Sequence, residues 1–217
     1  MYALIHNNQI QVGPRQWNYA FFKDYLDEEG LNADALTTRP PEDNKIITDQ
    51  WKIIPVIDIQ YAQLDEPFEQ PAGPYWTIND EYITGEYLAV PNTVGMVQGK
   101  LKEKVTNNRY KVEVGGCPFT FADGTEVTLY TTREDRNVYL QAYQIMADDG
   151  SIVFKFTNAI FKSVNKTELG QIVAAGSAHI QEAFTWESGK YAEIDACTTL
   201  EELKLIDTKH PSQASEE

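Results

Sequence analysis

Seven carboxylates lie between Asp58 and Glu86 (Asp58, Asp65, Glu66, Glu69, Asp80, Glu81 and Glu86), interleaved with Tyr75, Trp76, Tyr82 and Tyr87. These residue types could do chemistry. Two carboxylates can act as acid and as base or nucleophile at a glycosidic bond, and aromatic rings beside acids can stack on a sugar. Against catalysis, 217 residues leave little room for a long depolymerase body, and acids in such numbers ordinarily form a solvated face. Non-catalytic glycan binding is open to the same composition. A protein interface is the more natural use, because Tyr and Trp dominate interface hot spots. On that reading Trp51, Tyr75, Trp76 and Tyr82 are the anchors.

The other reactive side chains are isolated. Cys117 follows Gly115-Gly116 and precedes Pro118, superficially the setting of an exposed nucleophile, but no partner motif supplies a base. It is read as a packed structural thiol. His6, His179 and His210 have no second His, Cys or acid at ligand spacing, so no metal is expected, and His179 is placed on a helix surface. Gly115-Gly116 is not followed by Gly-Lys-Thr and reads as a turn or bulge. Asp148-Asp149-Gly150-Ser151 and Ala122-Asp123-Gly124-Thr125 lack the remaining acids and closing Glu of a calcium loop, and read as turns too. No catalytic residue and no cofactor emerges.

Composition narrows the partners. Hydrophobic and charged fractions of 42% and 24% are those of an ordinary globular chain. Residues 1–91 hold 15 acids and 5 bases, a net −10, and residues 92–217 hold 18 and 13, a net −5, together the −15 of the whole chain. An acidic chain argues against nucleic acid, since phosphate contacts need Lys and Arg. The basic run Lys100-Leu101-Lys102-Glu103-Lys104 reads as a solvated helix face. No apolar run is long enough for a membrane span, and Met1–Asn8 lacks the basic start of a signal peptide. Cys117 and Cys197 are expected as unpaired thiols of a protein made in the cytoplasm, with a disulfide between them as the alternative.

The elements that must position these residues suggest an α+β fold. Residues 2–12 alternate around Asn7-Asn8 and predict a β-hairpin ended by Gly13-Pro14. A helix over about 16–29 places Trp17, Phe21, Tyr25 and Phe22 or Leu26 on one side, with Gly30 as its stop. Residues 31–44 read as a polar extended connector, 45–64 as β structure with Pro55 at an edge or bulge, and 65–74 as a loop. Short strands follow near 75–78 and 82–90. Pro91 is the expected domain boundary. Beyond it the pattern predicts a helix over about 93–107, strands at 110–114, 117–121 and 125–130, and a helix from Arg133 to about Ala147. Strands at 152–156 and 159–164 come next. A long helical stretch over 166–196, capped by Asn165 with Glu168, carries Leu169, Ile172, Val173, Ile180 and Phe184 inward. It is expected to break near Ser188-Gly189. A last capped helix opens near Thr198-Thr199 with Leu200, Leu203 and Ile206 inward, and residues 208–217 are expected to fray.

The order of elements over about 92–207 carries a resemblance. The lysine-rich helix, Val112-Glu113-Val114-Gly115-Gly116, Phe119-Thr120-Phe121-Ala122-Asp123-Gly124 and Tyr130-Thr131-Thr132-Arg133-Glu134-Asp135-Arg136 form its first part. Thr167-Glu168-Leu169-Gly170, His179-Ile180-Gln181-Glu182-Ala183-Phe184 and Thr198-Thr199-Leu200-Glu201-Glu202-Leu203 form its second. Together they resemble an uncharacterised domain that recurs in bacteriophage tail, tail-fibre and tail-assembly proteins. The resemblance implies a virion part without enzymatic activity, made in the host cytoplasm and bound to other tail, baseplate or fibre proteins. It implies several copies, as a trimer or a multiple of three. Residues 1–91 become an acidic, aromatic-rich adaptor-like domain. A fibre-assembly chaperone absent from the finished particle, and a receptor- or glycan-binding tail protein, are the alternatives.

Overall fold

Asn7 and Asn8 both take positive φ (51° and 61°), which a two-residue hairpin turn requires and Asn tolerates. They join β1 (Tyr2–His6) to β2 (Gln9–Arg15). The computed structural model describes residues 1–34, 36–41 and 45–213. It divides the chain into two units, Met1–Asn92 and Thr93–Glu217. The fold is α+β. Residue 35 and residues 42–44 of the expected connector, and residues 214–217 of the expected frayed tail, lie outside the described residues.

In the first unit β2 runs through Gly13-Pro14 rather than ending there. β2 is an edge strand, where a missing N–H costs no ladder bond. The helix therefore starts later than expected: α1 (Tyr19–Glu28) is capped by the Asn18 side chain, which accepts from the Phe21 N–H at 3.1 Å. Its end is a Schellman motif. Gly30 (φ 73°) donates to Asp27 O and Leu31 donates to Leu26 O. Phe22 and Leu26 are the buried positions, packed with Leu4, Trp51 and Ile53, while Trp17 precedes the helix and stacks on Phe22 at 5.1 Å.

β3 (Lys45–Ile46), β4 (Trp51–Tyr61), β5 (Glu69–Ile78) and β6 (Ile83–Pro91) complete a sheet ordered β2-β1-β4-β6-β5, with β3 also on β4. β4 pairs antiparallel with β1 through Pro55 and then parallel with β6 from Val56, across a register shift between Val56 and Asp58. Pro55 thus sits on a central strand, beside a bulge, where the strand changes partner. The expected loop 65–74 is shorter than its composition suggested, because β5 is the other edge and absorbs Pro71 and Pro74 around a bulge between Ala72 and Tyr75. Leu4 and Ile53 face α1, and Ala3, Ile5, Ile54 and Ile83 form a second cluster with Trp76 and Ile78.

The second unit begins with α2 (Val94–Val114), capped by Thr93. Residues 110–114 are its last turns, not a strand. Their short alternation loses to the helical spacing of Val97, Leu101, Val105 and Val112, all buried. Gly116 (φ 98°) then turns the chain into the hairpin β7 (Cys117–Thr120) and β8 (Glu126–Leu129). α3 (Arg133–Ile145) is capped by Thr132 and followed by the hairpin β9 (Ser151–Lys155) and β10 (Phe161–Asn165). α4 (Lys166–Ala196) opens on the Asn165/Glu168 capping box, and α5 (Leu200–Lys204) on a second box of Thr199 with Glu202. Their core gathers Phe121, Leu129, Tyr139, Phe156, Val164, Leu169 and Ile172.

Three expectations fail here for packing reasons. α4 does not break at Ser188-Gly189: one helical Gly costs about 1 kcal/mol, and both sides of it are tied to α2. Thr106 bonds Glu187 at 2.7 Å and Tyr191 at 2.5 Å. Phe184 is not core; it is 44% exposed under the Arg109 guanidinium, and Ala183 takes the buried place. The last described segment is docked. Thr208 and His210 are buried, Thr208 O accepts from Asn108 at 2.7 Å, and His210 meets Trp186 edge-on at 4.9 Å.

Gly99 in α2 and Gly189 in α4 are exposed, and a methyl group added at either meets nothing within 4 Å. Gly99→Ala and Gly189→Ala should each stabilise the protein by about 0.5–1 kcal/mol, by removing the backbone-entropy cost of helical glycine. A rise in urea midpoint at unchanged slope is the expected reading; no rise would mean these turns are already frayed.

Candidate interaction surfaces

The strand registers separate the predicted aromatic anchors. Trp51 opens β4 opposite His6, whose ring stacks on it at 4.1 Å, and only 8% of it is exposed. It is a core residue, not an anchor. Trp76 lies opposite Gly85, where a side chain would run into its ring at 2.4 Å. The indole therefore lies on the β6 backbone as part of the second cluster. Tyr75 (54% exposed) and Tyr82 do reach the surface.

Tyr61 escaped the sequence reading, and Tyr87 was not among its anchors. Tyr61 is 73% exposed and stacks on Tyr87, its register partner, at 4.9 Å and 7°. Their signal was the end of β4 lying beside β6, which only the parallel register reveals. Tyr75 pairs with Glu86 on the opposite face of that sheet, so the aromatics form two patches rather than one. Ile57 and Leu88 add exposed apolar area. Both sheet edges carry prolines (Pro14 on β2, Pro71 and Pro74 on β5), which disfavours strand addition and leaves side-chain faces as the means of association.

The second unit has a cleft of about 270 Å³ between β8, α3 and α4. Leu129, Ile172 and Val173 form its apolar floor, and Tyr130, Arg133, Arg136 and Asn137 its rim. Gly176 borders it: buried in α4, yet a methyl group there meets nothing within 4 Å. Arg136 is held by Glu113 at 3.0 Å and by Thr132 O at 3.4 Å. Arg133 makes no ion pair among the described residues. The sequence reading missed this wall; the spacing of Arg133, Arg136 and Leu140, which puts them on one helix face, was the one signal for it.

Cys117 and Cys197 are free thiols. Burial, with the Glu182 charge adding to it, pushes the Cys117 thiol above its ordinary pKa, the reverse of what a nucleophile needs. His179 is not a free surface residue; its Nε2 lies 2.9 Å from Val112 O and donates to the last turn of α2. In the expected turn at Asp123, the Lys162 ammonium and the Thr125 N–H hold the carboxyl well below its usual range. Among the described residues no group of three His, Cys, Asp or Glu side chains could hold a metal, and no helix is long and apolar enough to cross a membrane.

The second unit is thus built from helices α2–α5 and two hairpins. Residues 96–209 match the family described as "Domain of unknown function (DUF4376)", just over half of the 217 residues. The chain belongs to that family. The DUF4376 region takes in α2 through α5 and the docked segment up to Lys209, so the cleft lies wholly within it. No curated protein and no solved structure matches the chain.

His210 gives the DUF4376 unit a pH dependence. Burial lowers its pKa below 6.5; nearby His179 adds to the shift and Glu182 opposes it. The folded state therefore favours the neutral ring. Its contribution is present above the unfolded pKa and is lost as pH falls through the lower folded value. Hydrogen exchange at 206–213, corrected for intrinsic rates, should quicken between pH 7.5 and 5.5 in the wild type and much less in His210→Asn. Equal acid sensitivity in both would assign the effect elsewhere.

Proposed function

We propose that the protein is a non-enzymatic structural component of a bacteriophage tail, a baseplate or tail-fibre-associated adaptor that works by docking its neighbours. The phage setting rests on the resemblance of residues 92–207 to the tail-protein domain, the region that the DUF4376 match also covers. The docking role rests chiefly on one observation: aromatic side chains left outside both clusters of the first unit. Tyr61, Tyr75 and Tyr82, with Ile57 and Leu88, stand exposed on a unit whose net charge is −10 over residues 1–91. Such rings offer large rigid contact area at low entropy cost, and the surrounding acids suit a basic partner surface.

Tyr75 and Tyr82 stay as anchors in this reading, and Tyr61 with Tyr87 take the places of Trp51 and Trp76. Partners are other tail or baseplate proteins, and the tail's symmetry calls for copies in multiples of three. Quantitative mass spectrometry of purified particles tests it. Several copies per particle, in a multiple of three, are expected. Presence in the lysate with absence from particles would overturn the adaptor reading in favour of an assembly chaperone.

A further inference from the structure

The cleft of the DUF4376 unit has no part in the docking surfaces described above, and three observations bear on what it could hold. First, its size: pockets for whole small molecules run from about 300 to 1,000 Å³, and this one, at about 270 Å³, takes a single large side chain. Second, its charge. In a chain of net −15, one rim of the cleft presents two guanidinium groups. Arg136 shares its carboxylate, Glu113, with Arg109, and Arg133 makes no ion pair among the described residues. Third, its surroundings: Leu140 is exposed on the same face of α3 as Arg133 and Arg136 and lines the cleft, so apolar surface continues from the floor out beside the arginines.

We propose that the cleft docks a segment of an acidic partner polypeptide in which a large apolar side chain sits beside a carboxylate. The side chain enters over Gly176 onto Leu129 and Ile172. The carboxylate meets Arg133, with Arg136 held in place behind it by Glu113. Leu140, beside the arginines on α3, then meets a flanking residue. Gly176 leaves the entry open, since any larger residue there would project into the space the side chain needs. The inference rests on the reading that this protein works by docking, and it assigns that role to a second surface.

The test uses the full chain, isotopically labelled, titrated with the blocked dipeptides acetyl-Leu-Glu-amide and acetyl-Leu-Gln-amide. Saturable shifts at the amides of Arg133, Gly176 and Ser177 are expected with the glutamate peptide. Roughly tenfold weaker binding is expected for the glutamine peptide, and the same for Arg133→Gln with the glutamate peptide, since each removes one charge-assisted contact. Gly176→Leu should abolish binding while resonances distant from the cleft stay in place. No saturable shifts, or equal affinity for the two peptides, would overturn the proposal. So would concentration-dependent shifts at these amides without peptide, because a second copy would then be the occupant. Particle copy counting is independent of all these outcomes, so the adaptor reading can survive a failure here.

Discussion

Truncating Phe156 to alanine is expected to lower the stability of the Thr93–Glu217 unit by about 3–5 kcal/mol, the range for a fully buried aromatic. Phe156 is completely buried at the centre of a ring relay. Phe121 lies 5.7 Å away edge-on and Phe154 6.2 Å away, and these in turn contact Phe119 and Tyr139. Phe156 also fixes the turn between β9 and β10, because its N–H donates to Ile160 O at 2.8 Å. Truncation leaves a void lined by rings that cannot collapse without pulling both hairpins off α4. Phe156→Leu, which fills much of that volume, should cost clearly less. Urea unfolding combined with hydrogen exchange reads the result: protection should fall throughout β7–β10, α3 and α4. A loss under 1 kcal/mol would show that the relay repacks, and that the hairpins are not held by this residue.

Local chemistry was legible where it is local in sequence. Asn7-Asn8, the caps at Thr132 and Asn165, and Gly30 each act on atoms within four residues of themselves, and each does what its residue type demands. The exposure of aromatics was not legible in this way. Whether Trp51 is an anchor or core depends on β1 lying beside β4, and Trp76 is covered because Gly85 is its cross-strand neighbour. Edge strands misled for a related reason. Proline argues against a strand only when both sides of it must pair, and β2 and β5 each pair on one side. Residues 110–114 showed the limit of a five-residue pattern, since α2 continues wherever α4 offers it a surface. The cleft was hidden because its walls come from three elements, β8, α3 and α4, and only the spacing within α3 is local in sequence.

Glu113→Ala is expected to cost about 2–3 kcal/mol, somewhat below the 3–5 typical of breaking a fully buried ion pair. Glu113 accepts from Arg109 and, at 3.0 Å, from Arg136, while Arg109 also bonds Glu187 at 3.2 Å. The carboxylate thus stands at the junction of α2, α3 and α4, with the side chains of Arg109, Glu113 and Glu187 13–15% exposed. Removing it leaves Arg136 without its ion-pair partner and Arg109 with Glu187 alone, and the repulsion between the two guanidinium groups then acts on the packing of α3 against the other two helices. Glu113→Gln keeps acceptor geometry without charge and should fall between wild type and Glu113→Ala. The double variant Glu113→Ala/Arg136→Ala should cost less than the sum of its single changes, because the stranded charge is then gone. Additivity within about 0.3 kcal/mol would mean that the pair does not couple.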